Sequence, residues 1–229
     1  MKLKYIITDN KTQHVNLAVE EFLTRNAKDD EVILMLWQNS PCVVIGKNQN
    51  PWAECNVERM KEDMVPLVRR VSGGGAVYHD LGNLNFTFVA KDNLYDKEKQ
   101  TEVILQAVRL LGIDAIKNGR NDLTVNDKKF SGHAYWSSNG ASYHHGTIMM
   151  QVFFDNMSKY LSPSKAKLQS KGVSSVRSRV TNIVDCLPSN STLSKDRSDL
   201  IEAMETALIS AFELVYGQEA EEMAWPTVT

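Results

Sequence analysis

One run of glycines, preceded by two arginines, carries the residue types best suited to holding a ligand. Gly73, Gly74 and Gly75 follow Arg69 and Arg70. Glycine has no Cβ, so its backbone can lie directly against a ligand, and the planar guanidinium of arginine suits anionic or carboxylate-derived groups. No Gly-Lys-Ser/Thr follows and no Gly-x-Gly-x-x-Gly opens a helix, which excludes the two commonest nucleotide-binding loops. The run predicts close approach of a ligand, and a flexible connection between strands is the alternative.

A second candidate group has the chemistry of a phosphate site. Asn121 and Asp122 begin a predicted strand, and Lys129 lies in the next one, after a turn at positions 126–127. Partners on adjacent antiparallel strands are about 5 Å apart, so the lysine and the aspartate should lie close together. A lysine can stabilise developing phosphate charge, and an aspartate can hold a magnesium ion. The same spacing also fits an ordinary surface ion pair across a hairpin.

The histidines and cysteines give weaker signals. The histidines considered are His79, His133, His144 and His145, and their spacing is not that of metal ligands such as His-x-x-x-His. Adjacent strand residues point to opposite faces, so His144 and His145 cannot both face one site. The cysteines, Cys42, Cys55 and Cys186, are too widely spaced for a disulfide framework or a zinc site. No residue near them in sequence would lower a thiol pKa, so we do not expect a catalytic cysteine.

The hydrophobic pattern predicts the elements that must position these residues. Strands are predicted at 5–7, 32–37, 42–45, 84–89, 122–125, 129–130 and 143–153, and the alternation over 84–89 indicates a half-buried strand. Helices are predicted from an N-cap at Asn16, over 51–64 with Trp52 buried, and over 97–111, 155–161 and 194–216. Helices mixed with hairpin-linked strands predict an α+β domain with a mixed, largely antiparallel sheet flanked by helices.

Residues 162–188 form a polar, basic stretch rich in Ser and Lys, with no firm periodicity. Structureless loops of this length are usually functional or disordered. We therefore expect a mobile loop that covers an active site.

Composition excludes several classes of protein. The 229 residues carry a net charge of −2, with 42% hydrophobic and 24% charged residues, which is ordinary for a soluble domain and gives no argument for nucleic-acid binding. No apolar run approaches the roughly 20 residues that a membrane span needs. The first residues turn polar too soon for a signal peptide. A single large domain in the reducing cytoplasm is the expectation.

Six segments, taken together, resemble one family, the A-type lipoate–protein ligases. They are NLAVEE (16–21), RRVSGGGAVYHDLGN (69–83), NGRNDL (118–123), KKFSGHAY (128–135), HHGT (144–147) and KGVSSVRSRVTN (171–182). They follow the family's order and span roughly residues 5–217. The glycine segment alone also resembles octanoyl transferases of the wider superfamily, whereas the full set is specific.

The resemblance implies an activity and a fold. Members activate lipoate with ATP and Mg²⁺ to lipoyl-AMP, then transfer the lipoyl group to one lysine of a carrier domain. The implied partners are the lipoyl domains of 2-oxo acid dehydrogenase E2 subunits and the glycine-cleavage H protein. The implied fold is α+β, with a mixed sheet like that of biotin ligases. A monomer is expected.

The resemblance also assigns roles to residues. Lys129 is the invariant catalytic lysine, which neutralises the carboxylate and α-phosphate and then the departing AMP. Asn121 and Asp122 hold the adenosine and the phosphate–magnesium region, with Asp122 as the Mg²⁺ ligand, and Arg70 and His79 flank the lipoyl pocket. The implied binding residues are Arg70, Ser72, Gly73, Gly74, Gly75, Ala76, Val77, His79, Asn83, Asn121, Asp122, Ser131, Gly132, His145, Gly146 and Thr147. The adenylate-covering loop contributes Lys171, Ser174, Ser175, Val176, Arg177 and Arg179.

The chain departs from the family pattern in one respect. A-type ligases carry a further small C-terminal domain, whereas here residues 1–217 match the catalytic domain and 218–229 form an acidic tail. The expectation is a truncated chain, a short form that needs a separate accessory chain, or a protein specialised for transfer. Two alternatives remain open, an ATP-independent octanoyl or lipoyl transferase that uses a cysteine and a non-catalytic module that binds lipoyl-AMP or the carrier.

Overall fold

The computed structural model describes residues 1–119, 121–162 and 179–226. The helices are α1 (Gln13–Arg25), α2 (Pro51–Glu54), α3 (Val57–Glu62), α4 (Lys97–Leu110), α5 (Phe154–Tyr160) and α6 (Arg197–Tyr216), with a 3₁₀ helix at Ile183–Cys186. The strands are β1 (Lys2–Ile7), β2 (Glu31–Trp37), β3 (Cys42–Ile45), β4 (Leu67–Arg69), β5 (Val77–His79), β6 (Asn83–Lys91), β7 (Ile116–Asn118), β8 (Asp122–Val125), β9 (Lys128–Ser138), β10 (Ala141–Met149) and β11 (Ala220–Glu222).

In the described part of the chain these strands form two sheets. The larger has eight strands in the order β11-β1-β2-β6-β10-β9-β8-β7, and the smaller has the order β4-β3-β5. In the large sheet β1 pairs in parallel with β2 and β11, and the other neighbours are antiparallel. The fold is therefore α+β with a mixed, largely antiparallel sheet flanked by helices, as the sequence predicts.

Helices cover both faces of the large sheet. One face packs on α4 and α6, in a core that includes Phe86 and Phe88 of β6. The other face packs on α1, through Val19 and Leu23. A third cluster joins the small sheet to α3 and α5. Because β6 lies inside this sandwich, residues 83–90 are buried on both faces, and the predicted half-buried strand is wrong. Alternation alone does not distinguish a solvated face from a polar buried one.

The first helix begins earlier than its sequence pattern predicts. The N-cap of α1 is Thr12. Asn16 lies within the helix and is fully buried, so its prediction as the N-cap is wrong. The buried stripe of α1 is Gln13, Asn16, Val19, Glu20, Leu23 and Thr24. A polar stripe of this kind escapes a search for apolar periodicity.

Other boundaries also differ from the predictions. The predicted helix over 51–64 is broken into α2 and α3, and Trp52 is 79% exposed rather than buried. The strand predicted to reach 153 ends at Met149. The N-cap of α6 is Asp196, whose side chain accepts from the Ser198 amide, rather than Ser194. Strand β11, within the acidic tail, has no counterpart among the predicted elements.

Candidate active site

A β-bulge places Lys129 on the face of the sheet that α1 covers. Asp122 pairs with Gly132 and Leu123 with Ser131, but Thr124 pairs with Lys129, so Phe130 is an extra residue in β9. Without the bulge, Lys129 and Gly132 would point to opposite faces, since they are three residues apart. With it they share one face. Bulges are common beside active sites because they redirect a side chain in this way.

The Lys129 side chain lies directly over Gly132. Its Nζ is 2.7 Å from Oδ1 of Asp122 on the neighbouring strand. A Cβ built on Gly132 would lie 2.6 Å from that Nζ, so only glycine leaves room for the lysine here. The side chains of Lys129 and Asp122 are 37% and 47% exposed. The predicted proximity of Asp122 to Lys129 is therefore confirmed, and the cation is accessible to a ligand.

The same face continues across the sheet into a row of predicted site residues. Gly132 pairs with Thr147 on β10, Thr147 with Asn85 on β6, and Asn85 with Trp37 on β2. Paired residues point to the same side of a sheet, so Asp122, Gly132 and Thr147 share the surface that leads to Trp37. A Cβ on Gly146, which faces the other way, would meet the Phe86 ring at 2.5 Å and the Gly132 carbonyl oxygen at 2.7 Å. Gly146 therefore allows close packing behind this surface.

The glycine run forms a loop between β4 and β5 whose carbonyls are held by Arg70. The guanidinium donates to the carbonyl oxygens of Gly73 and Gly75, each at 2.8 Å, and to that of Val44 at 3.2 Å. Arg70 is 6% exposed, and burial lowers its pKa. These hydrogen bonds to backbone carbonyls show that Arg70 fixes the shape of the loop. Gly74 has φ +97°, which a side chain would strain.

The loop packs against a second glycine that the sequence did not single out. A Cβ on Gly46 would lie 2.3 Å from the carbonyl oxygen of Gly74. The Lys47 amide donates to the Ser72 carbonyl at 2.8 Å. Nη1 of Arg69 donates to the carbonyl oxygens of Gly46, Lys47 and Gln49. The two arginines thus fix two adjacent loops, and Gly46 gives them room to touch.

A buried polar network lies beneath the loop. Ser72 Oγ is 2.9 Å from Nε2 of His145, whose Nδ1 is 2.7 Å from Oε1 of Glu20 on α1. Thr87 Oγ1 donates to the same carboxylate at 2.7 Å and accepts from Trp37 Nε1 at 3.0 Å. Hydroxyl, imidazole and carboxylate follow the order of a nucleophilic triad. Ser72, however, is 1% exposed and its Oγ accepts from Arg70 Nε, so the network positions groups rather than exposing a nucleophile.

We expect Glu20→Ala to lower the free energy of unfolding by about 3 kcal/mol, because it leaves His145 and Thr87 without their buried partner. Urea denaturation measures this change. The control is Glu21→Ala, which breaks an exposed ion pair with Arg25 and should cost under about 1 kcal/mol. Equal losses in the two variants would contradict the role given to Glu20.

Other predicted binding residues lie deeper. His79 is 3% exposed, and its Nδ1 is 3.1 Å from Nδ2 of Asn39. Asn83 is 1% exposed and donates to Asn85 Oδ1 at 2.9 Å. Ala76 lies in the glycine loop, and Val77 is the first residue of β5. The His79 and Asn83 side chains are therefore buried, whereas Ala76 and Val77 are partly exposed.

Ser131 lies on the opposite face, with the histidine pair. Its Oγ is 3.1 Å from Nε2 of His133, and Nδ1 of His133 is 2.9 Å from Nε2 of His144. Burial and neighbouring positive charge lower the pKa of His133 to about 3, so its ring is neutral. His145 faces α1, so the prediction that His144 and His145 face different sides is confirmed. The structure brings His145, but not the Ser131 side chain, to the Lys129 face.

The chain on either side of residues 163–178 is anchored by backbone hydrogen bonds, and the second anchor is at Lys129 itself. Before that stretch, the Ser162 amide donates to the Glu54 carbonyl at 2.9 Å. After it, Val180 forms a bridge with Lys129, and the Thr181 amide donates to the Lys129 carbonyl at 2.9 Å. Arg179 directly precedes this bridge. The other predicted loop residues, Lys171, Ser174, Ser175, Val176 and Arg177, lie outside the described residues.

The Asp122 carboxylate beside Lys129 suits a magnesium ion. Oδ1 of Asn121 is buried and has no hydrogen-bond partner among the described residues, and the Asp122 carboxylate is half-exposed. No group of three or more His, Cys, Asp or Glu within the described ranges could hold a metal ion. Magnesium is usually bound through one or two carboxylates together with substrate phosphates. The site therefore fits magnesium that arrives with a phosphate-bearing substrate.

Several residues of the site escaped sequence reasoning. Glu20, Trp37 and Tyr143 line the face that α1 covers, and the Tyr143 hydroxyl lies beside Ser72 and Glu20. The sequence did offer one signal for Glu20, which is an acidic residue on the same buried side of α1 as Val19 and Leu23. Nothing local in the sequence points to Gly46.

No helix in the described ranges is long and apolar enough to cross a membrane.

Comparisons with known proteins identify the family and the fold. The family model for the lipoyl protein ligase A/B catalytic domain matches residues 12–209. A structure from the bipartite lipoate protein ligase system of Thermoplasma acidophilum has a TM-score of 0.82 and 28% identity, covering 98% of this chain and 88% of that chain. P. falciparum LipL1 in complex with lipoate has a TM-score of 0.79 and 33% identity, covering 96% and 66%. A lipoate-protein ligase A bound with ATP has a TM-score of 0.82 and 27% identity, covering 97% and 89%. The chain belongs to the lipoyl protein ligase A/B catalytic domain family.

Proposed function

We propose that this protein is an ATP-dependent lipoate–protein ligase that forms lipoyl-AMP and transfers the lipoyl group to a lysine of a carrier domain. The observation that carries the proposal is the exposed Lys129 ammonium, held by Asp122 over Gly132. The ATP-bound and lipoate-bound relatives support it.

The proposed chemistry needs a cation at this place in two steps. A carboxylate is a poor acyl donor, so it first attacks the α-phosphorus of ATP, and pyrophosphate leaves. Lys129 holds the carboxylate and the α-phosphate together by neutralising their charges. In the second step the carrier lysine attacks the acyl carbon and AMP leaves as an anion. The same ammonium stabilises that leaving group.

The other residues shape the site around this cation. Asn121 and Asp122 hold the phosphate end, where magnesium supplies further positive charge when bound. The glycine loop lies close to Ala134, since a Cβ on Gly74 would be 4.0 Å from the Ala134 Cβ, so its backbone can line the acyl-adenylate. We assign residues 171–179 to covering the adenylate, which would exclude water from a hydrolysable mixed anhydride.

The proposed acceptors are small lipoyl carrier domains, those of 2-oxo acid dehydrogenase E2 subunits and the H protein. The Thermoplasma acidophilum work describes a bipartite ligase together with its E2 lipoyl domain. A separate accessory chain for the adenylation step is part of the proposal.

The test combines two assays on the same protein. Lipoate-dependent exchange of pyrophosphate into ATP reports adenylation, and transfer from supplied lipoyl-AMP to a carrier domain reports the second step. Both activities are expected, with the accessory chain added if exchange requires it. Transfer without exchange under either condition would restrict the protein to the second step. Absence of both would leave a binding module and overturn the proposal.

Replacing the cysteines should leave both activities intact. Burial raises the pKa of the Cys42 thiol to about 12 and that of Cys55 to about 11, so neither is a thiolate at neutral pH. The variant to assay carries Cys42→Ala, Cys55→Ala and Cys186→Ser, where alanine avoids burying a hydroxyl at the two buried positions. Loss of transfer with an unchanged melting temperature would instead favour an ATP-independent cysteine transferase.

A further inference from the structure

A buried relay of side-chain amides joins α1 to His79. Nδ2 of Asn16 donates to the carbonyl oxygens of Asn10 at 3.0 Å and Gln38 at 2.9 Å. The same nitrogen is 3.1 Å from Oδ1 of Asn39, whose Nδ2 is 3.1 Å from Nδ1 of His79. Asn16 and Asn39 are fully buried. Solvent water therefore cannot compete for the hydrogen bonds between these two side chains.

The two backbone carbonyls determine where each proton lies. Carbonyl oxygens only accept, so the Asn16 atom that faces them is the amide nitrogen. The two Asn16 hydrogens are shared among three oxygens, those of Asn10, Gln38 and Asn39. An amide nitrogen does not accept a hydrogen bond, so Asn39 must present its oxygen to Asn16 and hence its own nitrogen to His79. Burial, with the positive charge of Arg70, lowers the pKa of His79 to about 3, so the ring is neutral. Its Nδ1 accepts from Asn39, and its single proton is on Nε2.

The proton on Nε2 has no acceptor in the described structure. Nε2 of His79 is buried and lacks a hydrogen-bond partner among the described residues. The ring stands edge-on to Trp37, with centroids 6.3 Å apart, and it lies near the side chains of Arg70 and His145. It therefore lies beside the polar network of the site. A buried donor without a partner is costly, and a ligand in the site can supply the missing acceptor.

We propose that Asn39, held by Asn16, is a positioning residue that fixes His79 as an Nε2–H donor to an acceptor atom of the bound acyl substrate. The inference rests on the proposed function, because it requires an acyl substrate on this side of the sheet. The acceptor is either an oxygen of the carboxyl-derived end or a sulfur of the dithiolane ring. Both can accept a hydrogen bond, and the experiments separate them.

The first test uses the unmodified protein. Imidazole ¹⁵N NMR distinguishes a protonated from a bare ring nitrogen, so His79 should show a bare Nδ1 and a protonated Nε2. Adding lipoate should shift the Nε2–H resonance. The reverse tautomer would overturn the proposal, as would an unchanged Nε2–H signal when other resonances show that lipoate is bound. If no resonance responds to lipoate, the protein does not bind lipoate, and the result contradicts the proposed function itself.

The second test reverses the polarity of the relay with Asn39→Asp. The aspartate still accepts from Asn16, but toward His79 it can only accept, so Nδ1 takes a proton. The new negative charge also raises the pKa of His79, while Arg70 and His145 face the ring as before. Below that pKa both ring nitrogens are protonated and the Nε2–H donor is kept. Above it the remaining proton is on Nδ1 and the donor is lost.

The KM of the Asn39→Asp variant for lipoate should therefore rise about tenfold as the pH increases through the pKa of His79. A tenfold rise is the effect of losing one hydrogen bond. The ratio of variant to unmodified KM is the measured quantity. Asn26→Asp, at the C-terminal end of α1, makes the same chemical change away from His79 and should show a flat ratio. If the KM ratio for Asn39→Asp does not change with pH, the proposal is overturned. A loss of packing alone would raise the KM equally at every pH.

The third test identifies the acceptor atom and applies even if Asn39→Asp does not fold. His79→Gln keeps an N–H donor and should retain most of the affinity, whereas His79→Leu removes it. If His79→Leu raises the KM for lipoate and octanoate alike, the acceptor is a carboxyl-derived oxygen. If it raises only the KM for lipoate, the acceptor is a dithiolane sulfur. Unchanged values for both substrates would overturn the proposal.

Discussion

Lys129→Ala is expected to lower the rates of both half-reactions by about 10²–10³-fold, the usual cost of removing one preorganised charge from a site of developing negative charge. The ammonium has no substitute among its described neighbours, since its contact is the Asp122 carboxylate at 2.7 Å. Removing it leaves that carboxylate facing the phosphates and adds repulsion. Pyrophosphate exchange and transfer from supplied lipoyl-AMP measure the two steps separately.

The matched control is Lys128→Ala, which removes an exposed lysine from the preceding position of β9. It should retain nearly full activity. The melting temperature should change little in either variant, because ion pairs with exposed side chains contribute about 0–1 kcal/mol. Near-normal transfer by Lys129→Ala would remove the lysine from the second step, and equal losses in both variants would point to a general effect of surface charge.

Gly132→Ala should lower activity by about 10²-fold while leaving the protein folded. The new methyl would lie 2.6 Å from Nζ and 2.8 Å from Cε of Lys129. These atoms are the far end of a flexible side chain, so the lysine moves aside and the sheet keeps its geometry. The backbone of Gly132 is not in the left-handed region, and alanine adds no strain there. The same two assays and a thermal melt measure the outcome.

A double-mutant cycle tests whether Gly132 acts through the lysine. In the Lys129→Ala background, Gly132→Ala should have almost no further effect, because the atoms it displaces are gone. Full additivity of the two losses would show that Gly132 contacts the substrate directly. A large drop in melting temperature for Gly132→Ala alone would show that the strand itself cannot accept a methyl.

The glycine loop and its flanking strands were predictable because their signals are local. Continuous apolar runs fixed β2 and β3, a turn at 126–127 fixed the hairpin of β8 and β9, and a Gly-Gly-Gly run between strands marked a close approach. The proximity of Lys129 to Asp122 followed from strand pairing alone. Each of these features depends on residues within about ten positions of one another in the chain.

The features that could not be predicted depend on tertiary contacts. The bulge at Phe130 gives no local signal, yet it decides that Lys129 and Gly132 share a face. Gly46 matters only because the carbonyl of Gly74 occupies the place of its Cβ. Glu20 was passed over because a buried acid is expected only when a partner such as His145, 125 residues away, is known. The exposed Trp52 likewise reflects a break between α2 and α3 that its apolar spacing does not reveal.

The pairing of β1 with β11 has a consequence for synthesis of the chain. Leu3 is in register with Ala220, so β1 gains this neighbour only after residues 220–222 have been synthesised. Until then one edge of β1 offers unpaired amides and carbonyls, which are a template for association with other chains. Contacts this distant in sequence also slow folding, since a long loop must close before they form. A ribosome-bound intermediate that has emerged only through α6 should therefore still expose this edge of β1.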